Sequence, residues 1–139
     1  MSSPLRAEVI LEIPFHDVDS MNVVWHGHYL KYFEIARTAL MRKAGLDLPE
    51  MQQSGCVWPV VTCQVKYLRP LRYGQKVRVE AVLEAYDCRI AIRYEIHAAD
   101  GRERLTRGST VQFPVDAATG STLFETPAGM VAAIERALA

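Results

Sequence analysis

The sequence predicts an α+β fold in which an antiparallel sheet wraps around one long helix. Two observations carry this. Between Tyr29 and Ala44 the apolar residues recur at helical spacing, and from Val57 onward they alternate with polar ones, segment after segment, with mostly short turns between. At 139 residues the chain is near the usual size of one domain, so a single domain spanning residues 1–139 is expected. Half of the residues are hydrophobic, 23% are charged and the net charge is zero, a composition that excludes a disordered tail. Acids and bases are balanced and scattered, which argues against a nucleic-acid partner.

The first strand is Ala7 to Ile13, rich in Val and Ile and ended by Pro14. A polar loop with His16, Asp17, Asp19 and Asn22 follows. The long helix has Tyr29, Tyr32, Phe33, Ala36, Leu40 and Ala44 on one side, and Gly45 supplies its stop. Leu30, Ile35, Ala39 and Met41 widen that apolar surface and leave a narrow polar edge at Lys31, Thr38 and Arg42, so the helix is expected to be largely enclosed. Val57 to Tyr67 reads as one long strand before Arg69-Pro70 and a Tyr73-Gly74 turn. Val77, Val79, Ala81 and Leu83 alternate with Lys76, Arg78, Glu80 and Glu84, and Ile90, Ile92, Tyr94 and Ile96 with Arg89, Arg93, Glu95 and His97. Tyr86-Asp87-Cys88 suits a hairpin between these strands, and Asp100-Gly101 another before a strand over Leu105 to Phe113. Ala128 to Leu138 reads as a closing helix entered through Pro127. The connections suggest an antiparallel meander with open edges that a second copy would cover.

No stretch approaches the roughly 18 apolar residues of a membrane helix, and Met1-Ser2-Ser3-Pro4-Leu5-Arg6 lacks the apolar run of a signal peptide; a cytoplasmic protein is expected. Cys56, Cys63 and Cys88 lack CxxC spacing and are expected to be buried free thiols. His26-x-His28 lacks a third ligand and the spacing of a known set, so no metal is expected.

Chemistry concentrates between Phe15 and Arg37, where acids, imidazoles and aromatics crowd the start of the helix. A carboxylate held there can attack a carbonyl or activate water, while free N–H groups of the helix terminus stabilise the oxyanion that develops. That layout suits acyl transfer. Asp17-x-Asp19, Val23-Val24-Trp25-His26, Tyr29-Leu30-Lys31-Tyr32-Phe33-Glu34 and Ala36-Arg37, with weaker similarity through Tyr67-Leu68-Arg69-Pro70 and Tyr73-Gly74, resemble the hot-dog fold 4-hydroxybenzoyl-CoA thioesterase family. The likeness is to its bacterial branch of small acyl-CoA thioesterases associated with the Tol-Pal system. It implies an α+β hot-dog fold, hydrolysis of an acyl-CoA or acyl-carrier-protein thioester, no cofactor beyond the CoA of the substrate, and a homodimer or homotetramer with its site at a subunit interface.

By position in that family, Asp19 is the catalytic carboxylate, the His26 backbone N–H polarises the thioester oxygen, and the His26 imidazole orients the site or assists proton transfer. Tyr29 is implied to line the acyl pocket, with Met21 and Trp25 as further candidates for its wall. The chain departs from the family at Met21 and Asn22, where glycines are frequent, and at His28, where asparagine is frequent; these bear on loop shape and acyl preference.

Plainer readings stand beside these. Asp19 could serve only as a helix cap, and Asp17 is expected to hold loop backbone. Glu34 and Arg37 suit a pair on one helix face. Arg89, Arg93, Arg69 and Lys66 are candidates for CoA phosphates or simply solvated charges. Two other functions are open to the fold: an acyl-thioester dehydratase or hydratase built on His26 and Glu34, or a non-catalytic acyl-CoA or acyl-carrier-protein binder. Serine hydrolase and nucleotide hydrolase chemistry are disfavoured because Gly-x-Ser-x-Gly and a phosphate-cradling glycine loop do not occur.

Overall fold

The computed structural model describes residues 3–139. Strand β1 (Arg6–Glu12) leads through a loop to helix α1 (Tyr29–Lys43), followed by a short helix α2 (Leu48–Gln53) and the strands β2 (Cys56–Val57), β3 (Val60–Tyr67), β4 (Lys76–Ala85), β5 (Ile90–Ala98), β6 (Arg104–Gln112) and β7 (Val115–Asp116), with helix α3 (Ala128–Leu138) last. Five strands form one antiparallel sheet in the order β1-β4-β5-β6-β3, and β2 pairs with β7. A simple meander is therefore corrected to one that holds only for β4-β5-β6. Strand β1 joins β4, while β3 crosses to the far edge and pairs with β6, because α1 and α2 intervene between β1 and β3 and carry the chain across the sheet.

The inward residues Val77, Val79, Ala81, Ile92, Tyr94 and Ile96 are fully buried against α1, as alternation requires. Phe33 of α1 lies flat on Tyr94 of β5, with ring centroids 4.5 Å apart and planes within 6°, and the Tyr94 hydroxyl bonds Thr110 at 2.9 Å. Such an aromatic pair contributes about 1 kcal/mol beyond its buried area. It needs room that only glycine leaves: a Cβ on Gly108 of β6 would sit 2.5 Å from the Phe33 ring and 2.7 Å from the Gln64 carbonyl oxygen.

Helix α1 ends where Gly45 takes φ 71°. Its N–H reaches the Arg42 carbonyl and the Leu46 N–H the Met41 carbonyl, and Leu46 and Met41 are both buried, the arrangement of a glycine-terminated helix sealed by an apolar contact. Asp47 then caps α2 in a reciprocal box with Glu50. This helix and the interruption at Trp58-Pro59, which splits the long strand expected from Val57 to Tyr67, are corrections to the sequence reading. The proline cannot donate to a ladder.

Two further expectations fail. Leu30 and Ile35 on α1 are 42% and 40% exposed, so the helix is not enclosed all round. Cys63, on the inward face of edge strand β3, is exposed along with Val61, and Cys88 is exposed in the β4–β5 turn, leaving Cys56 as the buried thiol.

Gly108→Ala is predicted to lower stability by about 1–3 kcal/mol, because both the Phe33 ring and the neighbouring strand must shift. Urea unfolding followed by far-UV circular dichroism measures it, and an unchanged midpoint would contradict the packing described.

Candidate active site

The loop between β1 and α1 folds back on itself. Trp25 N–H donates to the Asp17 carbonyl at 3.0 Å, Val18 and Val24 form a bridge, and Asp19 N–H donates to the Val23 carbonyl at 2.9 Å. Beyond that pair the chain turns through Ser20 and Met21 to Asn22, whose φ is 62°. This is the left-handed region that glycine enters freely and asparagine tolerates best among other residues. The Asp19 Oδ1 accepts the Met21 N–H at 2.8 Å and fixes the turn from within. Among the described residues, Asp19 Oδ2 has no hydrogen-bond partner.

Asp17 anchors this hairpin to the helix. Its carboxylate is 1% exposed, with Oδ1 2.6 Å from Lys31 Nζ and Oδ2 2.6 Å from the Tyr32 hydroxyl. Burial alone would raise its pKa, but the hydrogen bonds from Lys31 and Tyr32 and the Lys31 charge outweigh it, so the carboxyl ionises below its ordinary range. Burial, reinforced by the same contact, pushes the Tyr32 phenol far above its ordinary value. Asp17 thus binds helix side chains, where the sequence reading expected it to hold loop backbone. The residues missed were Lys31 and Tyr32, whose i, i+1 placement in the first turn lets them grip one carboxylate.

The chain enters α1 through a tight turn, His26–His28, and neither this turn nor α1 has a side-chain cap. Asp19 is therefore not a helix cap. Among the described residues, no turn, loop or cap carbonyl accepts the N–H of His26 or of Gly27, so the entry presents free donors at the positive end of the helix dipole. Tyr67, a residue of β3 without an assigned role in the sequence reading, donates its hydroxyl to the His26 carbonyl at 2.8 Å and pins the turn from the sheet side. Trp25 folds over the turn, 4.8 Å from the His26 ring and 5.4 Å from the His28 ring. A Cβ on Gly27 would meet the Trp25 ring at 2.2 Å, so glycine is what admits it.

The remaining expected residues separate. Met21 is 77% exposed at the hairpin tip and Trp25 48% exposed. Tyr29 is buried, its ring edge-on to Tyr67 at 4.7 Å, so within one chain it packs in the core. Glu34 faces Arg37 at 3.6 Å, as a helix-face pair does. The four candidate phosphate ligands do not converge: Arg93 pairs with Glu84 at 3.0 Å and Arg69 lies 3.9 Å from Glu103. Arg89 precedes the start of β5 and Arg69 follows the end of β3, at opposite ends of the sheet.

The strand order, the long helix packed on one face of the sheet and the hairpin at the helix entry define the hot-dog fold. The profile of the thioesterase-like superfamily matches residues 13–136. The chain belongs to that superfamily and is an enzyme of the thioester-hydrolase class. It is 34% identical over 77 residues to YneP of Bacillus subtilis, a protein named provisionally as an acyl-CoA thioesterase, covering 55% of this chain and 56% of YneP. It is 27% identical over 101 residues to the 1,4-dihydroxy-2-naphthoyl-CoA hydrolase of Thermosynechococcus vestitus, covering 71% of this chain and 68% of that one. Among solved structures, the DHNA-CoA thioesterase of Staphylococcus aureus superposes with a TM-score of 0.79 at 29% identity, covering 86% of this chain and 80% of the other.

Asp17→Asn keeps the shape but removes the charge that Lys31 and Tyr32 hold, and is predicted to cost about 3 kcal/mol at neutral pH. Because the folded pKa is depressed, this contribution is complete above the unfolded value near 4 and is lost as pH falls through the folded one. The stability gap between wild type and variant should therefore close only below about pH 4; a gap constant down to pH 2.5 would contradict the clamp.

Proposed function

We propose that the protein hydrolyses an acyl-CoA thioester to a free carboxylic acid and CoA, with Asp19 as the reacting carboxylate. The observation that carries this is the state of Asp19: one oxygen is fixed by Met21 N–H, the other is unengaged, and the residue caps no helix. A carboxylate oriented and left partly unpartnered, on a hairpin that leads into a helix entry with free donors, is arranged for a substrate rather than for the fold.

In this reading the carboxylate either attacks the thioester carbonyl, giving a mixed anhydride that water opens, or takes a proton from the attacking water. Both routes need its negative charge. The His26 N–H polarises the thioester oxygen, and the dipole of the turn and helix adds modest stabilisation. The His26 imidazole orients the leaving sulfur or returns a proton to it. The contact from Tyr67 to the His26 carbonyl supports this assignment, since it fixes the peptide geometry around the donor. Met21 and Trp25, exposed on either side of the hairpin, form the wall met by the acyl group, and Tyr29 acts beneath it by bracing Tyr67.

The names of the relatives support a CoA ester, and one of them names an aromatic acyl group. An acyl-carrier-protein thioester is the second substrate to test, and within the superfamily we place the chain in the 4-hydroxybenzoyl-CoA branch with the Tol-Pal-associated enzymes. The open edge of β3, with Val60, Val61 and Tyr67 exposed, and the exposed Leu30 and Ile35 of α1 support a homodimer or homotetramer. No helix of the described residues is long and apolar enough to cross a membrane, and a cytoplasmic location is proposed with the substrate class.

Asp19→Asn retains an oxygen for the Met21 N–H and loses only the charge. Turnover of acetyl-, hexanoyl-, palmitoyl- or benzoyl-CoA, read as release of free thiol, is predicted to fall by roughly 10²-fold or more with thermal stability unchanged. Equal turnover in the variant would refute the assignment. Sedimentation is predicted to show a dimer or larger; a fully active monomer would refute assembly around the site.

A further inference from the structure

A concave site lies towards the other end of α1. Its volume is about 360 Å³, in the range of small-molecule sites, and none of Asp19, Met21, Trp25, His26 or Tyr29 lines it. Arg37 and Met41 form the helix wall, Met51 of α2 and Trp58 the opposite side, and Ile90 with Gln112, partners across β5 and β6, the floor. Met41 and Met51 each lie more than two turns beyond the helix entry in sequence, and Leu48, 64% exposed, marks the rim.

The walls are apolar, yet the charge within them is not balanced. Asp47 also borders the cleft, but it is already engaged by Arg42 Nε at 2.7 Å and by the Leu48 N–H. Arg37 has no comparable partner: its side chain is 21% exposed, Glu34 stands 3.6 Å away and is 65% exposed, and its other polar neighbours, the Tyr94 hydroxyl and the Cys63 thiol, are uncharged. Trp58 adds an indole Nε1 that is buried and has no acceptor among the described residues, although the Trp58 carbonyl is satisfied by Gln112 Nε2 at 2.7 Å. A half-sheltered cation with a loose partner calls for an acceptor that the chain does not supply. Flexible methionine walls admit apolar groups of varied shape.

We infer that the cleft between α1, α2 and the β5–β6 sheet end binds a small organic monocarboxylate, its apolar body between Met41 and Met51 and its carboxylate on Arg37. The site stands whether or not Asp19 is catalytic. A free carboxylic acid is also what thioester hydrolysis releases; that link alone rests on the proposed reaction, and it makes the cleft a place where product is retained.

The five methionines provide the test. With their methyl groups labelled with carbon-13, octanoate and its neutral counterpart 1-octanol are titrated into the full-length protein and followed by NMR. Octanoate is expected to shift Met41 and Met51 saturably and to leave Met21 at the Asp19 hairpin and Met130 of α3 unmoved, in wild type and in Asp19→Asn alike. Arg37→Leu is expected to weaken octanoate at least tenfold with little effect on octanol, and Met51→Trp, which fills the cleft from a partly exposed position, to abolish both, with the Met130 signal reporting that the fold persists. Absence of saturable shifts, shifts centred on Met21, or octanoate affinity indifferent to both replacements would overturn the inference. Loss of turnover in Asp19→Asn bears on the reaction alone, so the two proposals fail separately.

Discussion

One carboxylate removed from water decides how the N-terminal loop meets the long helix. Asp17 is 1% exposed and accepts hydrogen bonds at 2.6 Å from Lys31 and Tyr32, two consecutive residues of the first helical turn. A buried charge is tolerated only when paired, and this one is paired with the very element that the loop must address. Its backbone carbonyl meanwhile accepts Trp25 N–H, which closes the hairpin that carries Asp19. Removing the charge would therefore loosen the relation between hairpin and helix, on which any chemistry at Asp19 and His26 depends.

The sheet supplies the second half of that geometry. Tyr67 crosses from β3 to hold the His26 carbonyl, and Tyr29 packs edge-on against it, so the helix entry is located from below by the strand and from above by the Trp25 ring. Further along α1, the stack of Phe33 on Tyr94 sets the height of the helix over the sheet, and Gly108 permits the approach. The site is thus placed by rigid elements although its reactive groups sit in a loop.

Much of this was legible in the residues. The helix from Tyr29 and its end at Gly45 follow from period and from a residue able to take φ 71°. Strands β4 and β5 follow from alternation, and β6 from the further strand read after the Asp100-Gly101 turn. What periodicity does not encode is which strands pair: β3 alternates no differently for lying beside β6 than beside β4. Helix α2 was missed although Asp47 and Glu50 have the spacing of a capping box, because six residues with none buried carry no apolar stripe. Leu30, Ile35 and Cys63 were expected inside and are exposed, since apolarity in sequence marks surface to be covered and does not say whether the same chain covers it.

The candidate site was legible as a cluster but not as an arrangement. Spacing placed Asp17 and Asp19 before the helix without distinguishing a buried clamp from a half-exposed carboxylate; that difference arises from Lys31 and Tyr32, which reach only one of them. The central claim is that Asp19 and the His26 N–H flank the same carbonyl. A crystal structure with a ketone analogue of an acyl-CoA, in which a methylene group separates sulfur from carbonyl, tests it most directly. The account predicts the ketone oxygen within hydrogen-bond distance of the His26 N–H and the ketone carbon beside the Asp19 carboxylate; a ketone bound away from both groups would contradict it.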